Sequence, residues 1–283
     1  MTTPKVWFIT GVSRGFGKAL AEAVLADGDI VIGTSRDGSS TIPDAGGNLH
    51  LLPLEITDAR AIGPTIERAI ALRGRLDVIV NNAGYGLLGS IEEANEDQVA
   101  HLFDVNFHGP RRIIQAVLPQ LRRQKSGHII NITSIAGLAP GAGSGFYAAA
   151  KFAVEGLSQS LAQEVAPLGI KVTLVEPGAF RTDFLSDHSI RSTQARIDDY
   201  APSVGAMRSR LENMAGKQIG DPVRGAKAII EAVRATEPPL NLVLGSDALR
   251  RTRDRFERFG AEIERWASVS LSTDFKHREH SEA

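Results

Sequence analysis

Short apolar runs alternate with longer amphipathic stretches along most of the 283 residues. Seven of the runs are three to five residues long and rich in apolar side chains, which is typical of strands buried on both faces. These runs are residues 6–9, 30–34, 49–52, 78–80, 129–132, 172–175 and 242–244. Five stretches of helical character lie between them, at 18–25, 59–72, 98–123, 147–166 and 222–235.

This alternation predicts an α/β fold with a parallel sheet that helices cover on both faces. Right-handed crossovers, together with a glycine-rich turn after the first strand, indicate a doubly wound sheet, the Rossmann fold. We predict a single domain over residues 1–245, followed by a C-terminal helical extension over 246–283. The polar segment 38–47 is interpreted as a turn region within the domain.

A glycine-rich stretch, Thr10-Gly11-Val12-Ser13-Arg14-Gly15-Phe16-Gly17, joins the first predicted strand to the first predicted helix. Glycines let a backbone approach a pyrophosphate closely, and a helix N-terminus presents free N–H groups and a positive dipole end. A glycine-rich turn alone is also compatible with a plain strand-to-helix connection. Because this one lies at the first strand of the sheet, we expect it to bind a dinucleotide.

Tyr147 and Lys151 are four residues apart in an alanine-rich stretch that favours helix. Side chains at i and i+4 lie on one helical face, so the phenol and the ammonium point the same way. A nearby cation favours the phenolate and lowers the pKa of a tyrosine, which is about 10 when unperturbed. We therefore expect Lys151 to make Tyr147 a general acid or base near neutral pH. Taken alone, so short a pattern more often marks two unrelated surface residues.

Six ordered motifs within residues 5–245 together resemble the short-chain dehydrogenase/reductase family, in its main single-domain subfamily. The motifs are the turn at 10–17, Asn81-Asn82-Ala83-Gly84, Asn106, Ser134, the Tyr147 and Lys151 pair, and Pro177-Gly178 with Thr182. The resemblance implies a catalytic set of Asn106, Ser134, Tyr147 and Lys151. It implies that the cofactor is bound by Gly11, Ser13, Arg14, Gly15, Phe16, Gly17, Arg36, Glu55, Ile56, Asn82, Ala83, Gly84, Tyr147, Lys151, Pro177, Gly178, Phe180 and Thr182.

The resemblance also implies a role for each catalytic residue. Tyr147 exchanges a proton with the substrate oxygen, and Lys151 also holds the ribose hydroxyls beside the nicotinamide. Ser134 orients the substrate oxygen. Asn106 helps to order a water chain to Lys151, or is a buried asparagine that bonds a helix carbonyl.

Contacts to the two ends of the cofactor are implied in the same way. Phe180 and Thr182 contact the carboxamide and set the pro-S face of the nicotinamide. Glu55, one methylene longer than the aspartate that the family usually carries, and the backbone of Ile56 contact the adenine.

The end of the second predicted strand, Gly33-Thr34-Ser35-Arg36-Asp37, bears on the choice of nicotinamide cofactor. In such folds an acid about 20 residues past the glycines binds the ribose 2′-hydroxyl of NAD, whereas an arginine accommodates the 2′-phosphate of NADP. By resemblance, Ser35 holds the place of the acid, and Arg36 and Arg14 are two guanidiniums suited to a phosphate. Asp37 complicates this and is interpreted as a turn residue. We therefore expect NADP(H) in preference to NAD.

Hydride transfer between an alcohol and a carbonyl is the activity that the resemblance implies, as in a short-chain alcohol dehydrogenase or carbonyl reductase. The small apolar residues at 138–146 suggest a hydrophobic small-molecule substrate. Residues 181–219 are expected to form a lid over it. The alternative is a non-redox protein that binds and senses NADP on the same fold. Such proteins usually lack the tyrosine or the lysine.

The C-terminal part contains Leu249, Phe256, Phe259, Ile263 and Trp266, mostly on i+3 and i+4 steps. This apolar stripe predicts an amphipathic helix packed on the domain, with its charged face in solvent. The alternative is a subunit contact or a pocket cover. Together with residues 238–248, the helix resembles that of a bacterial branch near the 17-beta-hydroxysteroid and retinol dehydrogenases. The last residues, 273–283, are polar and are expected to fray.

Composition argues against several other functions. The formal net charge of −1 does not favour a nucleic-acid or membrane partner. The chain has no cysteine, and its seven histidines form no H-x-x-x-H pair, so we expect no metal site, His277 and His280 in the polar tail included. No leader or bilayer-spanning run is recognised, so we expect a cytoplasmic protein. The family resemblance suggests a homodimer or homotetramer built on the helices around Asn106 and Tyr147.

Overall fold

The computed structural model of the protein describes residues 3–44, 46–185 and 189–275. Part of the expected lid, at 186–188, lies outside the described residues. Most of the expected polar tail, at 276–283 with His277 and His280, lies outside them as well.

A single parallel sheet forms the centre of the fold. The described residues contain nine strands: β1 Val6–Thr10, β2 Ile30–Ser35, β3 Leu49–Pro53, β4 Val78–Asn81, β5 Gly86–Leu88, β6 Gly127–Ile132, β7 Ile170–Pro177, β8 Ile190–Ser192 and β9 Asn241–Leu244. Seven of them are ordered β3-β2-β1-β4-β6-β7-β9, and all neighbours are parallel. The seven predicted strands are confirmed. The strand order reverses between β1 and β4. Open α/β sheets bind their ligands at such a reversal point.

Helices cover both faces of this sheet. They are α1 Gly15–Ala26, α2 Ala59–Arg73, α3 Glu96–Phe103, α4 Gly109–Gln124, α5 Gly145–Val165, α6 Ala206–Met214, α7 Pro222–Arg234 and α8 Ser246–Leu271. On one face α1 and α7 pack around Trp7 in a fully buried apolar cluster. On the other face α2, α4 and α5 pack around Phe8. The alternation of adjacent β1 side chains between two cores confirms the predicted doubly wound α/β fold.

The helix predicted at 98–123 is in fact two helices, α3 and α4, joined by a π-helical turn at Asp104–His108. The N–H of Gly109 donates to the carbonyl of Asp104, five residues earlier. Pro110 has no N–H to offer to the carbonyl of Asn106, four residues earlier. The π-helical turn therefore lies at the position where the Asn106 side chain is buried.

The expected lid contains more regular structure than its sequence indicated. Within it, β8 pairs in parallel with β5, which follows the end of β4 closely. The Arg208 guanidinium on α6 donates to the carboxylate of buried Glu93 at 2.6 Å, and the N–H of Ile197 donates to the same carboxylate at 3.0 Å. These contacts hold the described part of the lid against the loop that follows β5.

The C-terminal helix forms as predicted, but the predicted packing of its apolar stripe is wrong. Within α8, which is described throughout, Ala248 is the one buried residue. Leu249, Phe256, Phe259, Ile263 and Trp266 are all exposed, because α8 leaves the domain after its first turns. The alternative interpretation, a subunit contact, stays a prediction. No helix among the described residues has the length and apolar character needed to cross a bilayer.

Candidate active site

A cleft of about 1010 Å³ opens where β1, β4, β6 and β7 end. Its walls include every residue predicted to bind the cofactor or to act in catalysis, except Gly17 and Asn106. Those two lie immediately behind the wall. Among the described residues, no cluster of three or more histidine or carboxylate side chains could hold a metal.

The glycine-rich turn is fixed to the end of β4 by side-chain hydrogen bonds. Asn82 Nδ2 donates to the carbonyls of Thr10 and Gly11 at 2.8 and 3.1 Å, and the N–H groups of Asn82 and Ala83 both donate to Thr10 Oγ1 at 3.0 Å. Gly11 has a φ of 72°, which favours glycine. A Cβ on Gly17 would lie 2.2 Å from Asn82 Nδ2 and 2.4 Å from the Gly11 carbonyl.

This turn fits the pyrophosphate of a dinucleotide. Helix α1 begins at Gly15 with no acidic residue in its first turn and no side-chain hydrogen bond capping it. Its first N–H groups and its positive dipole end are therefore available to an anion in the cleft. The close approach of Gly17 to Asn82 keeps the turn tight.

At the outer end of the cleft, Asp37 is held as a turn residue. Its Oδ1 accepts hydrogen bonds from Ser39 N at 3.0 Å and from Ser35 Oγ at 3.1 Å, and the bonds from Ser39 lower the pKa of Asp37. Glu55 Oε1 accepts from Thr57 N at 3.2 Å, so this carboxylate too is oriented by its own loop. Arg36 lines the cleft with an exposed side chain. At the end of β2, Arg36 therefore offers a cation to the cleft. The carboxylates of Asp37 and Glu55 each accept hydrogen bonds within their own loops.

Ser134, Tyr147 and Lys151 meet at the inner part of the cleft. Ser134 follows β6, while Tyr147 and Lys151 lie one turn apart on α5, and both are buried. Lys151 Nζ donates to the carbonyl of Ile132 at 2.9 Å and lies 5.8 Å from the centroid of the Tyr147 ring. The ammonium is thus on the phenol's side of the helix, as the spacing predicted, but is anchored to β6.

The expectation that Lys151 brings the pKa of Tyr147 down to near neutral is wrong for this arrangement. Burial raises the pKa of Tyr147 to about 12, and a hydrogen bond with Ser134 offsets part of that rise. Burial also lowers the pKa of Lys151 to about 8, against the opposing charge of Glu155. The phenol is therefore held in its protonated form near neutral pH, which is the form that donates a proton.

Asn106 fastens the π-helical turn to the loop after β4. Its Nδ2 donates to the carbonyl of Tyr85 at 2.7 Å, and its Oδ1 accepts from the N–H of Tyr85 at 3.0 Å. A Cβ on Gly84 would lie 3.1 Å from that Oδ1 and 3.7 Å from Lys151 Nζ. The buried amide therefore bonds a loop residue and not a helix carbonyl, and it lies close to Lys151.

The turn at Pro177 and Gly178 depends on a residue that sequence reasoning missed, Asp247 at the start of α8. Asp247 Oδ2 accepts from the N–H of Ala179 at 2.9 Å, and a Cβ on Gly178 would lie 2.3 Å from Asp247 Oδ1. Beside it, the rings of Phe180 and Phe16 meet edge to face at 5.3 Å. The one signal for Asp247 in the sequence was an acid in the first turn of a helix.

Two buried carboxylates were also missed. Glu155 lies one turn after Lys151 on α5, and Glu176 lies on β7. Burial raises the pKa of Glu155 to about 7 and that of Glu176 to about 8. Asn241 Nδ2 donates to Glu176 Oε1 at 2.7 Å. Glu155 could have been noticed from its i+4 spacing to Lys151, and Glu176 from its place in an apolar strand.

Glu176 makes stability depend on pH. The folded protein keeps the Glu176 proton up to about pH 8, whereas the unfolded chain loses it above about 4.5. The free energy of unfolding therefore falls as pH rises between these values, by about 5 kcal/mol from this group. We expect Glu176→Gln, which keeps the acceptor for Asn241, to raise the melting temperature at pH 8 but hardly at pH 4.5. Thermal unfolding at both pH values checks this, with Glu67→Gln on the exposed face of α2 as control. An equal gain at both pH values would contradict it.

Comparison with known proteins agrees with the fold. A model of the short chain dehydrogenase family matches residues 5–192. The 3-ketodihydrosphingosine reductase of Bacteroides thetaiotaomicron is 39% identical over 243 residues, which are 86% of this chain and 88% of that protein. A short-chain dehydrogenase structure from Streptomyces avermitilis superimposes with a TM-score of 0.90 at 39% identity, covering 97% of this chain and 100% of that one. ElxO with NADP bound superimposes with a TM-score of 0.73 at 26% identity, covering 88% of this chain and 100% of that one. The chain belongs to the short-chain dehydrogenase family of oxidoreductases.

Proposed function

We propose that the protein is an NADP(H)-dependent oxidoreductase that reduces the carbonyl group of an apolar small molecule, with Tyr147 as general acid. One observation carries the proposal: Tyr147, Ser134 and Lys151 face a cleft whose other end is the glycine cradle at the N-terminus of α1. The 3-ketodihydrosphingosine reductase among its relatives is named for a reaction of this type.

The side chains of this chain supply binding, orientation and a proton. A nicotinamide held in the cleft would supply the hydride for the carbonyl carbon. The Ser134 hydroxyl donates a hydrogen bond to the carbonyl oxygen and orients it. The Tyr147 phenol then gives its proton to that oxygen as the alcohol forms.

Lys151 and Asn106 support this proton transfer. The ammonium of Lys151 stabilises the phenolate that Tyr147 leaves behind, because opposite charges attract strongly in a partly dry cleft. Asn106 holds the Tyr85 loop beside Lys151, and its carbonyl receives no helical bond from Pro110. That carbonyl can accept from a water that returns a proton to Lys151.

The pKa of Tyr147 determines how the rates of the two directions depend on pH. At about 12 it keeps the phenol protonated at neutral pH, so the acid for reduction is ready. Oxidation of an alcohol needs the phenolate, whose population rises about tenfold per pH unit below that pKa. The rate of alcohol oxidation should therefore rise with pH. The rate of carbonyl reduction should depend less steeply on pH.

The choice of NADP rests on Arg36 and on the commitment of Asp37 to its turn. We expect Arg36→Ala to weaken NADP+ binding about 10- to 100-fold, because a charge-assisted hydrogen bond to a phosphate is lost. NAD+ has no 2′-phosphate, so its affinity should change little. Fluorescence titration with both dinucleotides checks this, with Arg60→Ala on the exposed face of α2 as control. An equal loss for both dinucleotides would contradict the assignment.

The proposal as a whole is tested by NADPH consumption with a panel of aldehydes and ketones. Turnover of an apolar carbonyl compound that depends on NADPH supports it. Binding of NADPH without turnover of any compound on the panel would favour a protein that senses NADP on the same fold.

A further inference from the structure

We propose that the substrate carries an anionic group, a carboxylate or a phosphate, at the end remote from the reacting carbonyl, and that a basic rim at the mouth of the cleft binds it. The basic rim is formed by Arg191, Arg210, Lys217 and Arg250. The proposal rests on the proposed function, since it names the class of substrate for that site.

Charge along the cleft is unequally distributed. Arg14 and Arg36 line the end assigned to the adenosine phosphates, together with one acid, Glu55. The rest of the lining holds the basic rim, Arg251 and Lys151, but two acids, Asp183 and Asp247. The chain as a whole has a net charge of −1, so this excess of cations is local. Cations that line one cleft raise the local concentration of an anion.

Asp247 does not neutralise the rim. Asp247 is engaged by the N–H of Ala179, and its charge acts on Arg251, which itself donates to the carbonyl of Ala139. Within the described ranges, Arg210, Lys217 and Arg250 form no ion pair with a carboxylate. Each of these cations is therefore available to an anion bound in the cleft.

Arg210 and Arg250 reach the cleft from two helices that meet the same loop. On α6, Met207 lies one turn before Arg210, and its Cε is 3.2 Å from the place of a Cβ on Gly141. On α8, Arg250 directly precedes Arg251, which is bonded to Ala139. The loop at 139–141 leads into α5, which carries Tyr147. Both helices therefore contact the wall that continues towards the reacting end, and Arg210 and Arg250 line the cleft from them.

Arg191 reaches the rim from a third element. It lies on β8, and its guanidinium carbon is 4.7 Å from the centroid of the Tyr85 ring. Stacking on an aromatic ring orients a guanidinium while leaving its N–H groups free to bind an oxyanion.

The wall between the rim and Tyr147 is apolar. Met207, Leu211 and Met214 of α6 line it, with Phe184 and Ile190 nearer to Tyr147. The Tyr147 and Phe184 rings lie 6.1 Å apart. A ligand that satisfies both regions has an apolar body, a carbonyl at one end and an anionic group at the other.

Binding of matched ten-carbon probes tests the anionic group without any turnover. Decanoate, decyl phosphate and decanol are titrated calorimetrically into the protein saturated with NADP+. We expect at least one of the two anions to bind at least about tenfold more tightly than decanol, with a ratio that falls at high ionic strength. Comparing the two anions distinguishes a carboxylate from a phosphate. Equal affinity for all three probes would overturn the proposal.

Variants locate the anion site. Arg210→Gln and Arg250→Gln should each reduce anion affinity about fivefold, and the double variant should bind the anions no better than decanol. Arg253→Gln is the matched control, because it lies on α8 with an exposed side chain outside the cleft. An equal loss in the control would show that general surface charge is responsible and would overturn the proposal.

The anion site and the proposed oxidoreductase activity can be disproved independently of each other. If NADPH-dependent reduction occurs but a keto acid and its methyl ester react equally well, the basic rim has no role and the oxidoreductase proposal stands. If the anions bind selectively but no carbonyl compound is reduced, the anion site stands and the catalytic proposal falls.

Discussion

Replacing Tyr147 by phenylalanine is expected to lower kcat for carbonyl reduction by about a thousandfold, in the range usual for loss of a general acid. The change removes the hydroxyl and keeps the buried ring, which packs near Phe184. The Ser134 hydroxyl and the Lys151 ammonium remain, but neither replaces a proton donor in direct line with the carbonyl oxygen. NADPH binding should stay within about twofold, because it depends on the glycine cradle and Lys151.

The measurement is NADPH consumption with the best carbonyl substrate, together with NADPH binding by fluorescence. Tyr85→Phe is the matched control, since Tyr85 is the second buried tyrosine of the cleft. Its main-chain bonds to Asn106 do not involve the phenol, so kcat should change by less than about threefold. A Tyr147→Phe protein with near-normal kcat would end the assignment of Tyr147 as the acid.

Replacing Gly17 by alanine is expected to abolish dinucleotide binding and to destabilise the fold by about 1–3 kcal/mol, the usual cost of overpacking. The added methyl would lie 2.2 Å from Asn82 Nδ2 and 2.4 Å from the Gly11 carbonyl. To relieve this contact, Asn82 must give up its bonds to Thr10 and Gly11, and the turn at the start of α1 must widen. The N–H groups that the pyrophosphate needs would then be displaced.

Gly63→Ala is the control for this change. Gly63 also lies inside a helix, α2, but a Cβ there has no heavy atom within 4 Å. Alanine should stabilise the protein at that position by about 0.5–1 kcal/mol, because glycine is a poor helix former. Urea unfolding and NADPH titration of both variants provide the test. Unaltered NADPH affinity in Gly17→Ala would mean that the turn does not contact the pyrophosphate.

The seven strands of the main sheet could be predicted because parallel strands buried on both faces are continuous apolar runs. The glycine turn, Ser134 and Tyr147 could be predicted because each belongs to a motif with a fixed position in that fold. The pair β5 and β8 could not, since each strand has three residues and neither has a period that sequence reveals.

The pKa of Tyr147 could not be predicted from its spacing to Lys151. Spacing on a helix shows that two side chains share a face, but it does not show how deeply both are buried. Burial acts against both charged forms, raising the pKa of the phenol and lowering that of the ammonium. The basic rim was missed for a related reason, because its residues come from β8, α6 and α8 and meet only in three dimensions.

The π-helical turn makes the length of one segment matter more than its composition. Each residue turns an α-helix by about 100°, so inserting or deleting one residue between Glu96 and Asn106 would rotate the Asn106 amide away from Tyr85 by about that angle. Point substitutions on the exposed side of α3 leave the rotation unchanged. On the exposed side of α3, variation in residue identity should therefore be tolerated, whereas a change in residue number would detach the loop beside Lys151 from its helix.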